Sequence, residues 1–191
     1  MKKPSKKKIL NRKFYQHDTL KVAQDLLGCF LVRNPPAGGG KNTIRAMITD
    51  VEAYIGKEDL ACHASKGRTP RTEIMYGQAG HAYVYLIYGM YHVMNIVTEK
   101  KEYPAAVMLR GVKIEDMDYK KTNGPGKLTR FLKIDKKLKD WDLTKGKKLW
   151  IEKPAQRISK KSITAGRRIG IDYAKHCKHY LWRFYLPPHQ L

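Results

Sequence analysis

The chain has 191 residues, 42% of them hydrophobic, which is enough for one domain with a proper core and argues against general disorder. Thirty-nine Lys and Arg stand against seventeen Asp and Glu, a net charge of +22, so the partner to look for is a polyanion: nucleic acid first, an anionic membrane surface second. No run approaches the roughly 20 apolar residues of a membrane span, no signal-peptide pattern opens the chain, and three widely spaced cysteines (Cys29, Cys62, Cys177) without a CxxC pair suggest neither a zinc site nor a disulfide framework.

Residues 1–13 hold seven Lys or Arg and no acid, which predicts a basic flexible N-terminal tail adding nonspecific phosphate attraction. Asp18 is placed to N-cap a short helix carrying Leu20, Ala23 and Leu27, and Gly28 to end it. Residues 29–32 predict a strand. Asn34-Pro-Pro-Ala-Gly-Gly-Gly40 is a loop whose spacing matches no phosphate-binding motif. Residues 44–54 predict a strand in which Ile44, Ala46 and Ile48 alternate and Asp50, Glu52 and Tyr54 follow at the same period. A polar loop with Glu58, Asp59 and His63 comes next. One histidine with flexible acids does not define a metal site. Thr69-Pro70 has the form of an N-cap followed by proline at the first helical position, predicting a short helix to about Tyr76.

The most strand-like run is 80–97, rich in β-branched and aromatic residues, with Gly89 where the chain can reverse. Its tyrosines Tyr83, Tyr85, Tyr88 and Tyr91 are core or a half-buried face on ordinary grounds. Beside so much positive charge they are also stacking platforms for bases. Residues 105–112 predict another strand, carrying Arg110. Asn123-Gly-Pro-Gly-Lys-Leu128 breaks the chain and starts a helix with Leu128, Phe131 and Leu132 on one face; Gly124 to Lys127 is either an anion-holding turn or a plain loop. Segment 133–148 is lysine-rich and has no evident role, and strand-like pieces at 149–151 and 181–185 close the chain. Strands with scattered helices, without βαβ alternation, predict an α+β domain around a mainly antiparallel sheet.

Glu52 is the residue that could carry chemistry. It is either a partly desolvated base or a surface glutamate paired with one of the many cations. Composition supports nucleic-acid binding without choosing between a repair enzyme and a non-catalytic binding module.

Taken together, Val51-Glu-Ala-Tyr54, Glu58-Asp59 with His63, Thr69-Pro-Arg71, Tyr83-Val-Tyr-Leu-Ile-Tyr-Gly-Met-Tyr91 with Asn95, Leu109-Arg110 and Asn123-Gly-Pro-Gly-Lys127 closely resemble the alkyladenine (3-methyladenine) DNA glycosylase family. The likeness runs from Phe14-Tyr15 to Arg183-Phe184-Tyr185. It implies a single glycosylase domain over residues 14–191, with a curved antiparallel sheet, short helices and a protruding β-hairpin. It also implies a monomeric base-excision enzyme without metal or cofactor. Such an enzyme flips a damaged purine (3-methyladenine, 7-methylguanine, with hypoxanthine and ethenoadenine left open) out of duplex DNA, hydrolyses its N-glycosidic bond and leaves an abasic site. Its place is the bacterial cytoplasm at the nucleoid, or the nucleus of a eukaryote.

By the same resemblance Glu52 is the general base and Arg110 helps fix the water and the carboxylate. Tyr54, His63 and Tyr85 wall the base pocket, backbone groups at Ala61 and His63 read the purine edge, and Asn95 refuses normal guanine. Tyr88 fills the gap left by the flipped nucleotide. Met90, Tyr91, Arg68, Arg71 and Lys127 are assigned to backbone or groove contacts. Two departures from the family pattern are a shorter loop between His63 and Thr69 and a histidine, His92, where an apolar residue is common. A pocket shared by Tyr85 and Asn95 places a geometric demand on the hairpin. A three-residue tip Tyr88-Gly89-Met90, or a bulge, puts both on one face; a two-residue turn puts them on opposite faces.

Overall fold

Period-two alternation along the strand that carries Glu52 sets the architecture. In the computed structural model, which describes residues 9–35, 43–154 and 156–187, that strand is β2 (Ile44–Ile55). The others are β1 (Phe30–Arg33), β3 (His81–Ile87), β4 (Tyr91–Val97), β5 (Ala105–Lys113), β6 (Trp141–Asp142), β7 (Leu149–Glu152), β8 (Thr164–Gly166) and β9 (Arg183–Tyr185). They order as β6-β3-β4-β5-β2-β1-β7, with β9 also on β2 and β8 on β9. Every pairing among the described residues is antiparallel, as the α+β expectation requires.

Val51 and Ala53 of β2, Val84 of β3, Met94 and Ile96 of β4, and Val107 and Leu109 of β5 turn to one side and join the main core. Val22, Ala23 and Leu26 of α2 (Thr19–Leu26) complete it from that side, as do Leu128 and Leu132 at α3 (Pro125–Phe131). The intervening residues Glu52, Tyr54, Tyr83, Tyr85, Asn95 and Met108 therefore share the other side of the sheet. Most of the sheet is thus buried on both faces.

Local chemistry explains the helix ends. The Asp18 carboxylate accepts the Lys21 N–H at 3.0 Å, and Gly28 follows the helix with φ +81°, where an L side chain is strained. Pro125 opens α3 at the first position, where no N–H is needed. Among the described residues no helix is long and apolar enough to cross a membrane.

Three expectations change. Residues 1–8 of the basic tail, like 36–40 of the Gly-rich loop, lie outside the described residues, but Ile9 to Lys13 belong to the fold. Ile9 bridges Glu152, Leu10 is buried in the core, and Asn11 caps α1 (Arg12–Tyr15), from which Arg12 reaches the Ala79 carbonyl and Asp142. The lysine run masked an apolar anchor and a cap immediately behind it. At 69–76 there is no α-helix: a turn leads into a 3-10 helix, Glu73–Tyr76. The Thr72 hydroxyl accepts the Thr69 N–H at 2.8 Å and contacts the Thr69 hydroxyl at 3.1 Å, local bonding that competes with a helical turn. The closing strand starts at Arg183 rather than 181, and β6 and β8, of two and three residues, are too short to show a period.

Candidate active site

The hairpin between β3 and β4 pairs Ile87 with Tyr91, Tyr85 with Val93 and Tyr83 with Asn95, so its tip is the three residues Tyr88-Gly89-Met90. That register continues across the sheet: Asn95 lies opposite Met108, and Met108 opposite Glu52. Opposed residues share a face. Tyr83, Asn95, Met108 and Glu52 therefore form one row across four strands, with Tyr85, Tyr54 and Arg110 two residues along on the same side.

Glu52 is fully buried. This excludes the surface ion-pair alternative. One carboxylate oxygen accepts the Ile169 N–H at 2.8 Å and lies 3.3 Å from the Arg110 guanidinium; the other accepts the Tyr54 hydroxyl at 2.7 Å. Burial pushes its pKa above the ordinary carboxylate range, while Arg110, the Ile169 N–H and the Tyr54 hydroxyl pull the other way. Tyr54 is held protonated by burial and by the neighbouring carboxylate, so it serves as a donor.

A bulge at Asp50 interrupts the β2–β5 register and leaves that carboxylate facing two cations. Arg183 grips it with bonds of 2.8 and 3.0 Å, and Arg110 Nε approaches to 3.9 Å. Arg110 Nε is buried without a hydrogen-bond partner within the protein. In front of this group opens a pocket of about 500 Å³, within the usual range for small-ligand sites.

Its walls are aromatic. Tyr54, His63, Tyr83 and Tyr85 all line it, with His63 4.7 Å and Tyr83 4.9 Å from Tyr85 between ring centroids. His63 Nδ1 pairs with the Tyr83 hydroxyl at 2.9 Å. Burial first, then Arg71 and Lys66, lower its pKa to about 4, so the ring is neutral at pH 7. The Asn95 amide donates to the Tyr83 carbonyl at 3.3 Å, which fixes how it faces the pocket. Arg71 reaches the pocket with its guanidinium 5.0 Å from the Tyr85 ring centroid.

Comparison with known proteins bears on this constellation. The family model for methylpurine-DNA glycosylase matches residues 13–190. The chain belongs to the methylpurine-DNA glycosylase family. A protein of Methanocella arvoryzae, provisionally named as a 3-methyladenine DNA glycosylase, is 46% identical over 93% of this chain and 92% of its own. Similarly named proteins of Legionella pneumophila (strain Corby) and Desulfitobacterium hafniense are 44% and 42% identical, over 93% and 96% of this chain and 93% and 97% of theirs.

Of the residues the sequence suggested for this methylpurine-DNA glycosylase family member, Tyr54, Ala61, His63, Tyr85, Asn95, Arg110, Tyr88 and Arg71 line one pocket, with Glu52 behind it. Met90 and Tyr91 stand exposed at the hairpin tip beside Tyr88. Two others are not brought in. Arg68 is held on the surface by Glu73 and Glu102, over the Tyr76 ring, and Lys127 donates its ammonium to the Lys120 carbonyl at 3.1 Å.

The segment Arg168 to Tyr173 went unread in the sequence. It supplies Ile169, Gly170, Ile171 and Tyr173 to the pocket and the Ile169 N–H to Glu52. The available signal was Ile169-Gly-Ile171 inside a basic run. Nothing local says that its backbone meets a strand more than a hundred residues earlier.

Proposed function

We propose that the protein removes alkylated purines from duplex DNA by base flipping and hydrolysis of the N-glycosidic bond, with Glu52 as the general base. The observation that carries this is a fully buried carboxylate, aimed by two donors and flanked by Arg110, behind an aromatic pocket in a strongly basic protein.

Glu52, in contact with Arg110 at 3.3 Å, takes a proton from a water that enters from the pocket side of the carboxylate. The water oxygen bonds to the sugar C1′, and the glycosidic electron pair leaves with the base. A purine alkylated at N3 or N7 is cationic before cleavage and departs neutral, so it needs no protonation by the enzyme. Its positive charge is also drawn to the faces of Tyr54, Tyr85 and neutral His63, a cation–π gain of about 0.5–2 kcal/mol that undamaged bases do not receive. 3-Methyladenine and 7-methylguanine fit this preference; neutral hypoxanthine and ethenoadenine rely on shape and edge contacts at Ala61 and His63. Asn95, tethered to Tyr83, crowds the exocyclic amine of guanine. Tyr88 occupies the stack position vacated by the flipped nucleotide.

The test is release of free base from methylated duplex DNA by the wild type and by Glu52→Gln. Release is expected from the first and almost none from the second, with DNA binding retained in both. Equal release would remove Glu52 from the mechanism.

A further inference from the structure

Among the described residues one ion pair is buried completely, and it ties together β2, the loop at residues 59–61 and the 168–177 segment behind the site. Arg168 and Asp59 both have fully buried side chains and meet in two bonds of 2.5 and 2.8 Å. Arg168 also donates to the Ala53 carbonyl at 2.9 Å and the Cys177 carbonyl at 3.2 Å. Asp59 accepts the Ile55 N–H at 3.2 Å and the Ala61 N–H at 3.1 Å. The guanidinium carbon stands 4.8 Å from the Tyr54 ring centroid and 5.1 Å from that of Trp182.

Such a pair is a poor device for stability alone. Removing two charges from water is costly, and apolar residues of similar volume often serve as well or better. Here the cost is raised further, since Arg168 Nε has no partner. What apolar residues cannot reproduce is direction. The Ile169 N–H lies in the planar peptide that joins it to Arg168, and the Ala53 carbonyl lies in the peptide that leads into Tyr54. The two donors of Glu52 are thus each one peptide from a bond to the same guanidinium, and one of them has its ring against it.

We propose that Arg168, locked to Asp59, is a positioning residue for the reaction: it fixes the Tyr54 hydroxyl and the Ile169 N–H, the two donors that aim the Glu52 carboxylate. This rests on Glu52 being the base. The charged and titratable groups facing Glu52 are Tyr54 and Asp50 on its own strand, Arg110 on β5, Arg183 on β9 and Arg168 itself. Loosening the two donors leaves the others in place and destabilises the carboxylate relative to the carboxylic acid. The acid limb of the excision rate then moves to higher pH.

The experiment is the pH–rate profile of single-turnover excision, with melting temperature measured in parallel. Arg168→Lys keeps the charge for Asp59 but not the fork that reaches Ala53 and Cys177. The double replacement Asp59→Leu/Arg168→Met exchanges the pair for apolar volume. Both are expected to shift the acid limb upward by about one pH unit, and the double variant, which also leaves the Ile55 and Ala61 N–H groups without Asp59, to melt lower than wild type. Tyr54→Phe should shift the limb in the same direction, and Arg168→Lys should add less on top of it than alone. An unmoved limb in folded Arg168→Lys, or full additivity with Tyr54→Phe, overturns the positioning role. If Glu52→Gln is inactive and Arg168→Lys keeps the wild-type limb, only this inference falls. If Glu52→Gln still releases base, the assignment of the base itself falls.

Discussion

The hairpin tip offers a substitution that separates folding from function. Tyr88 is 84% exposed and has φ +50°, a left-handed conformation that costs an L residue about 1–2 kcal/mol. In Tyr88→Gly that strain disappears, while the greater freedom of glycine in the unfolded chain costs about 0.4–1 kcal/mol. The side chain is mostly in water, so little packing is lost. The net is a fold between unchanged and about 1.6 kcal/mol more stable, or a Tm raised by up to about 3–6 °C for a chain of this size.

Function should move the other way. A wedge that replaces a lost stacking partner is worth about 1–3 kcal/mol, so excision of a methylated purine from duplex DNA should fall roughly 5- to 150-fold in kcat/KM. The assays are a thermal melt and base release from a defined lesion-bearing duplex. Undiminished excision refutes the wedge. A Tm lowered by more than about 4 °C refutes the account of the tip as free of packing and strained in its backbone.

Gly126 in α3 is the close-approach point beneath the hairpin: a Cβ there would sit 3.1 Å from the Tyr91 Cβ and 3.2 Å from its ring. Tyr91 is exposed and can give way, and alanine gains up to about 1 kcal/mol of helix propensity. Gly126→Ala should therefore leave the denaturant midpoint nearly unchanged and raise KM for damaged duplex by displacing the tip, with the pH–rate profile unmoved. Glu52→Gln bears on stability as well as on activity. The folded-state pKa of Glu52 is raised, so its carboxyl is neutral in both states well below the ordinary carboxylate pKa and has no effect there. As pH rises through the folded pKa, the folded state must carry a buried charge and wild-type stability falls. Urea midpoints of Glu52→Gln should accordingly gain on wild type from acidic to neutral pH; a gap that narrows with pH contradicts the burial argument. In the enzyme itself, the acid limb of excision should lie above the ordinary carboxylate range for the same reason.

Much of the architecture is written locally. Alternation gave β2, but the Asp50 bulge breaks the period: Ala46 and Ile48 join the core with Val51 and Ala53, and Glu52 and Tyr54 turn to the other side. A charged side chain before a helix gave the Asp18 cap, and Gly89 within an aromatic run gave the hairpin. Requiring Tyr85 and Asn95 to share a pocket left an odd tip or a bulge, and the register shows the three-residue tip. The resemblance implied residue roles that no period encodes, such as the one proposed for Asn95, whose local sequence is an ordinary strand.

Tertiary structure decided the rest. Whether Glu52 is a surface or a buried acid depends on what covers the strand, and part of the cover comes from Ile169, more than a hundred residues on. The same long-range pairing unites Arg168 with Asp59, and a surface pair draws Arg68 away to Glu73 and Glu102. Periodicity and capping depend on neighbours in the chain and so can be read from it. Burial, orphaned donors and shifted pKa values depend on which distant segments close over a residue, and these are fixed only when the sheet, the hairpin and the 168–173 segment meet.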